Sequence, residues 1–261
     1  MLTAKTEPAD ATDKQIVWKS SDIRVAMVSE GNVKALKPGK AEISAECGGK
    51  SAKCFVTVTY PAMIDLGLSV KWATCNMGAS WPEEFGDYYA WGETETKKEY
   101  SWETYKWCHG SETTMTKYCD YGEYGTVDNL AVLEEEDDVA HVKMGDGWRM
   151  PTNEECLELL QNTTAKWTDL NGVNGMKFTS KVDGYTDRWI FLPAAGCQWG
   201  AYKDYNDDDL HYGYYWTSSL CIGNLAYYLF FNPSKVYEDR YYRSDGYTIR
   251  PVFDERVEKG R

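Results

Sequence analysis

Two alternating runs joined by a glycine pair constrain the start of this chain more than any other feature. In the first run Ile43, Ala45 and Cys47 fall on one side, and in the second Cys54, Val56 and Val58 do. A two-residue period marks a strand with one buried face. Gly48-Gly49, between the runs, supplies the two residues free to take positive φ that a tight hairpin turn favours. The expectation is an antiparallel hairpin with one covered face. Upstream, Ile16-Val17-Trp18, Val25 to Val28 and Val33 to Leu36 are short apolar runs, punctuated by Ser20-Ser21-Asp22, Glu30-Gly31-Asn32 and Lys37-Pro38-Gly39-Lys40. Strands this short and evenly spaced point to an all-β sandwich over residues 1–60.

Tyr60-Pro61-Ala62 opens a linker over residues 61–64, because proline cannot donate to a strand ladder. Beyond it tryptophan and tyrosine become dense. Thr152 stands three residues before Glu155, with Pro151 just ahead, which is the spacing of a helix capping box. Cys156, Leu157 and Leu160 are placed on the buried face of that helix. A second helix is expected over Asp137 to Val142, packing Val139 and Val142. Ala226 to Phe231 is apolar at every position, so it reads as a central strand buried on both sides. Two helices among short strands and long loops make residues 65–253 an α+β domain, followed by a polar tail over 254–261. A chain of 261 residues suits this two-domain division.

The net charge of −13 repels phosphate backbones, which argues against nucleic acid as a partner. No apolar run reaches the length of a membrane span, so no membrane insertion is expected within this chain. The opening residues carry no secretion signal and read as the inside of a domain, so an export segment is expected upstream. Eight cysteines and three histidines are widely scattered with no CxxC pair, so neither a structural zinc site nor any other cofactor is expected. Most of the cysteines are read as small buried hydrophobes.

Pro8 to Thr12, Val17 to Asp22, Ala35 to Gly39 and Ala52 to Val58 give residues 1–60 a specific likeness. The segment resembles the bacterial immunoglobulin-like (group 2) family, whose modules are spacers or adhesion domains of exported proteins. The family begins with a strand ahead of the position of Leu2 that is absent here. The second region carries Asp65 to Ala73, Gly86 to Glu93, Gly147 to Thr152, Phe191 to Gly196, Tyr214 to Ser219 and Ile249 to Val252. In that order these stretches resemble the Fibrobacter-type major paralogous domain of gut Bacteroides-like bacteria. That family is similar to the formylglycine-generating-enzyme branch of C-type-lectin-like folds, which includes variable proteins of diversity-generating retroelements. The resemblance implies a C-type-lectin-like fold over 65–253 and an extracellular, cell-surface or phage-particle location.

The chemistry weighs toward binding. Formylglycine generators use two nearby cysteines, whereas here the corresponding region holds only Cys197 and Cys221, and Cys221 has apolar neighbours. His109, His141 and His211 are isolated in sequence and read as ordinary imidazoles. Asp204, Asp207, Asp208 and Asp209 could offer oxygen ligands to calcium, but a solvated acidic loop is the preferred reading. The run Glu134 to Asp138 reads as an exposed helix start favoured by the helix dipole. The candidate ligand-binding residues are Trp199, Tyr202, Tyr205, His211, Leu220, Cys221, Ile222, Asn224, Leu225, Tyr237, Glu238, Asp239, Tyr241 and Ser244. Rigid rings beside carboxylates suit a recognition surface for a protein or glycan. Trp216, Tyr247 and Arg250 are assigned to the scaffold, as are Trp148 and Arg149. No catalytic residue is assigned. A structural or fimbria-associated protein and a divergent formylglycine-generating-like enzyme stand as the alternatives.

Overall fold

A computed structural model describes residues 1–7, 15–35, 39–58, 62–203 and 211–258. The chain divides into two compact units, Met1–Pro61 and Ala62–Arg261, and is mostly β-sheet.

In the first unit β1 (Val17–Ser20), β4 (Gly39–Cys47) and β5 (Lys50–Val58) form one sheet in the order β1-β4-β5. A separate hairpin joins β2 (Ala26–Ser29) to β3 (Asn32–Ala35). The alternating runs are β4 and β5: Ile43 faces Cys54, Ala41 faces Val56, and Cys47 faces Lys50 across the turn. Gly48 and Gly49 take φ of 53° and 75°, a backbone that a side chain would strain. The core is small. Val25, Ala26 and Ala41 are buried, with Val33, Val56 and Val58 packed around them. Ile43 is fully covered, whereas Ala45, Cys47 and Cys54 are only half-buried. A groove of about 650 Å³ opens along them, bounded by Leu2 to Glu7, Trp18 and the end of the β4–β5 hairpin.

The second unit is built on β14 (Gly213–Ile222), β15 (Leu225–Asn232) and β16 (Lys235–Tyr242), an antiparallel sheet with β15 in the middle. Alternation along these strands feeds two cores. Trp216, Tyr228 and Phe230 enter one with Tyr89, Trp91, Tyr247 and Ile249. Tyr215, Leu229 and Phe231 enter the other with Trp72, Phe178, Leu192 and Leu159. The unbroken apolar run of β15 therefore has a reason: both of its faces are covered. Around this sheet lie β6 (Met63–Ile64), β7 (Lys71–Ala73), β8 (Trp148–Arg149) and β17 (Val252–Phe253), ordered β6-β7-β17-β8. A third sheet is β11-β10-β9, from β9 (Thr163–Leu170), β10 (Val173–Ser180) and β11 (Trp189–Pro193). A two-residue ladder joins β12 (Gln198–Trp199) to β13 (Tyr202–Lys203).

Both helix assignments need adjustment. The capped helix is Asn153–Asn162, here α2, with Thr152 accepting from the Glu155 N–H and Glu155 reaching back to the Thr152 N–H. Its buried positions are Cys156 and Leu159; Leu157 and Leu160 are half-buried, so the covered stripe is turned from the expected one. The other helix, α1, is Val139–Met144. It buries Val139 and Ala140, while Val142 is 49% exposed. A helix of six residues has room for only one covered turn.

The acidic run ahead of α1 is exposed at Glu134, Glu135 and Glu136, as expected, but its last two residues are not solvated. Asp137 and Asp138 are 2% and 4% exposed. Asp137 takes Lys106, Lys117 and the Tyr118 hydroxyl, at 3.2, 2.7 and 2.7 Å. Asp138 accepts from the Ala140, His141 and Met150 N–H groups, so it caps α1 and ties it to β8. Burial nevertheless raises the Asp138 carboxyl above its ordinary value, against these hydrogen bonds.

Candidate ligand-binding surface

The long stretch between β7 and α1 forms no extended ladder; isolated backbone bridges, such as Tyr89 to Tyr247 and Tyr100 to Gly200, and buried side chains hold it. Arg243, fully buried just after β16, donates to the carbonyls of Tyr118 and Lys117 at 2.6 and 3.2 Å and lies over the Trp91 and Tyr105 rings. The framework motifs interlock in the same way. Trp91 Nε1 donates to the Thr217 carbonyl at 2.8 Å, and Trp216 Nε1 to the Tyr89 carbonyl at 3.0 Å. Trp216 stacks on Tyr247 with ring centroids 4.1 Å apart. The Arg250 guanidinium donates to Asn76 Oδ1 and to the carbonyls of Ala73, Thr74 and Phe191. Each nitrogen of the Arg250 guanidinium has an acceptor, which is the condition for burying it. Arg149 pairs with Glu155 and Asp254, whereas Trp148 is half-buried, edge-on to Phe253, and so is less enclosed than a core tryptophan.

The candidate residues on β16 follow its two-residue period. Tyr237, Asp239 and Tyr241 share the face of Phe230, Tyr228 and Ala226, their partners on β15. Tyr237 and Tyr241 are 41% and 47% exposed. Tyr237 lies 5.0 Å from the Phe230 ring, which is 6.1 Å from Tyr212 and 5.3 Å from Tyr214. Asp239 receives a long bond, 3.5 Å, from the Tyr228 hydroxyl, and accepts the Arg240 N–H at 2.9 Å. Trp199, on β12, is 55% exposed, and its neighbour Gln198 bridges to Gly246. Half-buried Asp245 precedes Gly246; burial pushes its carboxyl up to about 7, with only Ser244 acting against it. The Asp245 charge is felt at Tyr241 and Tyr247.

The rest of the candidate set separates. Leu220, Asn224 and Ser244 are 6%, 5% and 3% exposed and cannot act as surface contacts. For Leu220 and Asn224 the cause is tertiary: the stretch from Glu112 to Val132 lies against the turn end of the β14–β15 hairpin. Leu220 donates its N–H to the Ala131 carbonyl, Gly223 to Asp120 Oδ1, and Asn224 its side chain to Glu112. Gly223 takes φ of 43°, and a Cβ there would meet the Tyr124 ring at 2.1 Å, so only glycine makes this turn. Glu238 points with Leu229 toward the α2 side, where one of its oxygens is buried without a hydrogen bond. Cys221 and Leu225 also lie on that side, Cys221 beside the Tyr227 hydroxyl. Ile222, at 38%, and His211 are exposed. Tyr205 and the four aspartates Asp204 and Asp207–Asp209 lie outside the described residues, as does the side chain of Tyr202. Sequence reading passed over Tyr212, Tyr214 and Asp245; the Tyr214 position had been absorbed into a framework motif.

Cys119 and Cys156 are buried, the other six cysteines are half-buried, and no disulfide joins any of the eight. The reading of most of them as buried holds for only two. His141 lies 3.7 Å from Glu135, His211 meets the edge of Trp167, and His109 is exposed. Among the described residues no three His, Cys, Asp or Glu side chains converge as metal ligands. Among the same residues no helix is long and apolar enough to cross a membrane.

Residues 1–56 match the family model of the bacterial Ig-like domain (group 2), which accounts for the short-stranded first unit. An alpha-L-arabinofuranosidase of Bifidobacterium longum subsp. longum is 47% identical over 60 residues, which are 22% of this chain and 6% of that enzyme. The match therefore spans a small part of that relative. No solved structure matches the chain.

Proposed function

We propose that residues 65–253 form a C-type-lectin-like domain that binds a ligand without transforming it, carried on an immunoglobulin-like module at a bacterial surface or on a phage particle. One contrast carries this reading. The rings of the family-like motifs, Trp91, Trp216 and Tyr247, are 0–2% exposed, while Trp199, Tyr237 and Tyr241 stand 41–55% in solvent, the two tyrosines on the same strand face as Asp239. Solvated aromatic patches mark interaction sites. The extracellular setting follows from the kind of protein in which group 2 immunoglobulin-like domains occur. Whether a retroelement diversifies residues 197–245 is a further part of this proposal, and substitutions concentrated there among alleles would support it. The divergent-enzyme alternative is disfavoured because Cys197 acts on Tyr241 and Tyr247 while Cys221 sits beside Tyr227, on opposite faces of the β14–β16 sheet.

The test is a screen of the intact protein against surface glycans and surface proteins, with Tyr237→Ala and Tyr241→Ala as comparators. A saturable ligand whose affinity falls about 30-fold in either variant, roughly 2 kcal/mol, supports the proposal. A ligand bound equally by wild type and both variants, or oxidation of a cysteine in a sulfatase peptide, overturns it.

A further inference from the structure

Tyr237, Asp239 and Tyr241 project from one face of β16, and Asp245 lies beside Tyr241 at the end of that strand. The rings of Tyr212, Phe230 and Tyr237 form a continuous row, with neighbouring centroids 6.1 and 5.0 Å apart. Among the described residues neither Asp239 nor Asp245 forms an ion pair. The Asp239 carboxylate meets only a phenol and a backbone N–H. The nearest cation along the chain, Arg240, alternates to the opposite side of the strand, where it acts on Tyr227. The surface thus offers electron-rich ring faces and two carboxylates that no cation of the described chain neutralises.

Resting on the binding reading above, we infer that this surface recognises a basic segment of a protein partner, whose lysine or arginine side chains meet the Tyr237 and Tyr241 rings and the Asp239 and Asp245 carboxylates along the strand. A cation gains from the ring quadrupole and from each carboxylate in the same sense. A neutral sugar would stack on the rings but leave the Asp239 carboxylate without a charged partner. The carboxyl of Asp245, raised to about 7 by burial, is the expected state of such an unmatched acid. The net charge of −13 steers basic partners toward the molecule.

The same charge would attract any polycation, so the experiment must separate the surface from the bulk field. The intact protein, ¹⁵N-labelled, is titrated with hexalysine, hexaglutamate and maltohexaose. Wild type is compared with Asp239→Asn, with Tyr241→Ala, and with Asp183→Asn, which removes an equal charge from an exposed position elsewhere. The inference expects saturable shifts from hexalysine centred on Tyr237, Asp239, Tyr241 and Asp245. It also expects binding about five- to tenfold weaker in Asp239→Asn and Tyr241→Ala, and within about twofold of wild type in Asp183→Asn. Equal weakening in Asp239→Asn and Asp183→Asn, or hexalysine shifts spread over the whole surface, overturns it. Shifts at these residues from maltohexaose and none from hexalysine also overturn it, and leave the broader binding reading standing. If none of the three probes moves these resonances, the cation inference fails, while the binding reading is still judged by the ligand screen.

Discussion

Replacing Asp245 by asparagine should stabilise the second unit at pH 8 and do little at pH 4. The ordinary carboxyl value is 3.8, and burial in the fold raises that of Asp245 to about 7. Below pH 3.8 both folded and unfolded chains hold the proton. Between 3.8 and about 7 the folded chain keeps it and the unfolded chain has lost it, so the folded state binds more protons and stability falls as pH rises. At 1.36 kcal/mol per pH unit the interval corresponds to about 4 kcal/mol. Asp245 is only half-buried, so about 2–4 kcal/mol is the working range. Asparagine keeps the shape and cannot ionise. The assay is urea unfolding followed by tryptophan fluorescence, which reports the second unit because every tryptophan except Trp18 lies beyond residue 61. Wild type and Asp245→Asn are compared at pH 4, 6, 7 and 8. The stability difference between variant and wild type should grow by about 2–4 kcal/mol from pH 4 to pH 8 and then level off. A difference independent of pH, or one that shrinks as pH rises, would refute the burial argument.

Trp216→Ala should cost at least about 4 kcal/mol, from the lost ring burial and the lost Nε1 bond to the Tyr89 carbonyl, and calorimetry should show a fall in Tm too large for a surface change. Asp138→Ala removes the acceptor of three backbone N–H groups and should cost about 1–3 kcal/mol, read as a Tm lowered by several degrees. Excess chelator should leave the Tm unchanged; a fall that calcium restores would give the aspartates at 204 and 207–209 a structural role. Limited proteolysis should cut first between Val58 and Asp65, and resistance of that stretch would contradict an exposed linker.

Much of the local structure was legible. The β4–β5 hairpin, the capping box of α2 and the doubly covered β15 each follow from short-range patterns: alternation about a Gly-Gly pair, a Thr and a Glu three residues apart, and an unbroken apolar run. These signals are local because the interactions behind them span a few residues. The face of α2 was misjudged because neighbouring leucines offered more than one apolar stripe, and the sheet packed against it selected Cys156 and Leu159. The burial of Asp137, at the end of the acidic run, was not legible because composition shows charge but not its partners: Lys106 and Lys117, about 30 and 20 residues earlier, lie against Asp137 and make its burial tolerable.

The candidate surface shows the same division. Sequence alone identified the stretch rich in rings and carboxylates, and the two-residue period of β16 assigns Tyr237, Asp239 and Tyr241 to one side once the strand is known. It could not reveal that residues 112–132 cover Leu220 and Asn224, nor that Asp245 lacks a cationic partner among the described residues. Those outcomes depend on contacts between segments about a hundred residues apart, and exposure is decided by what packs against a side chain rather than by the side chain itself.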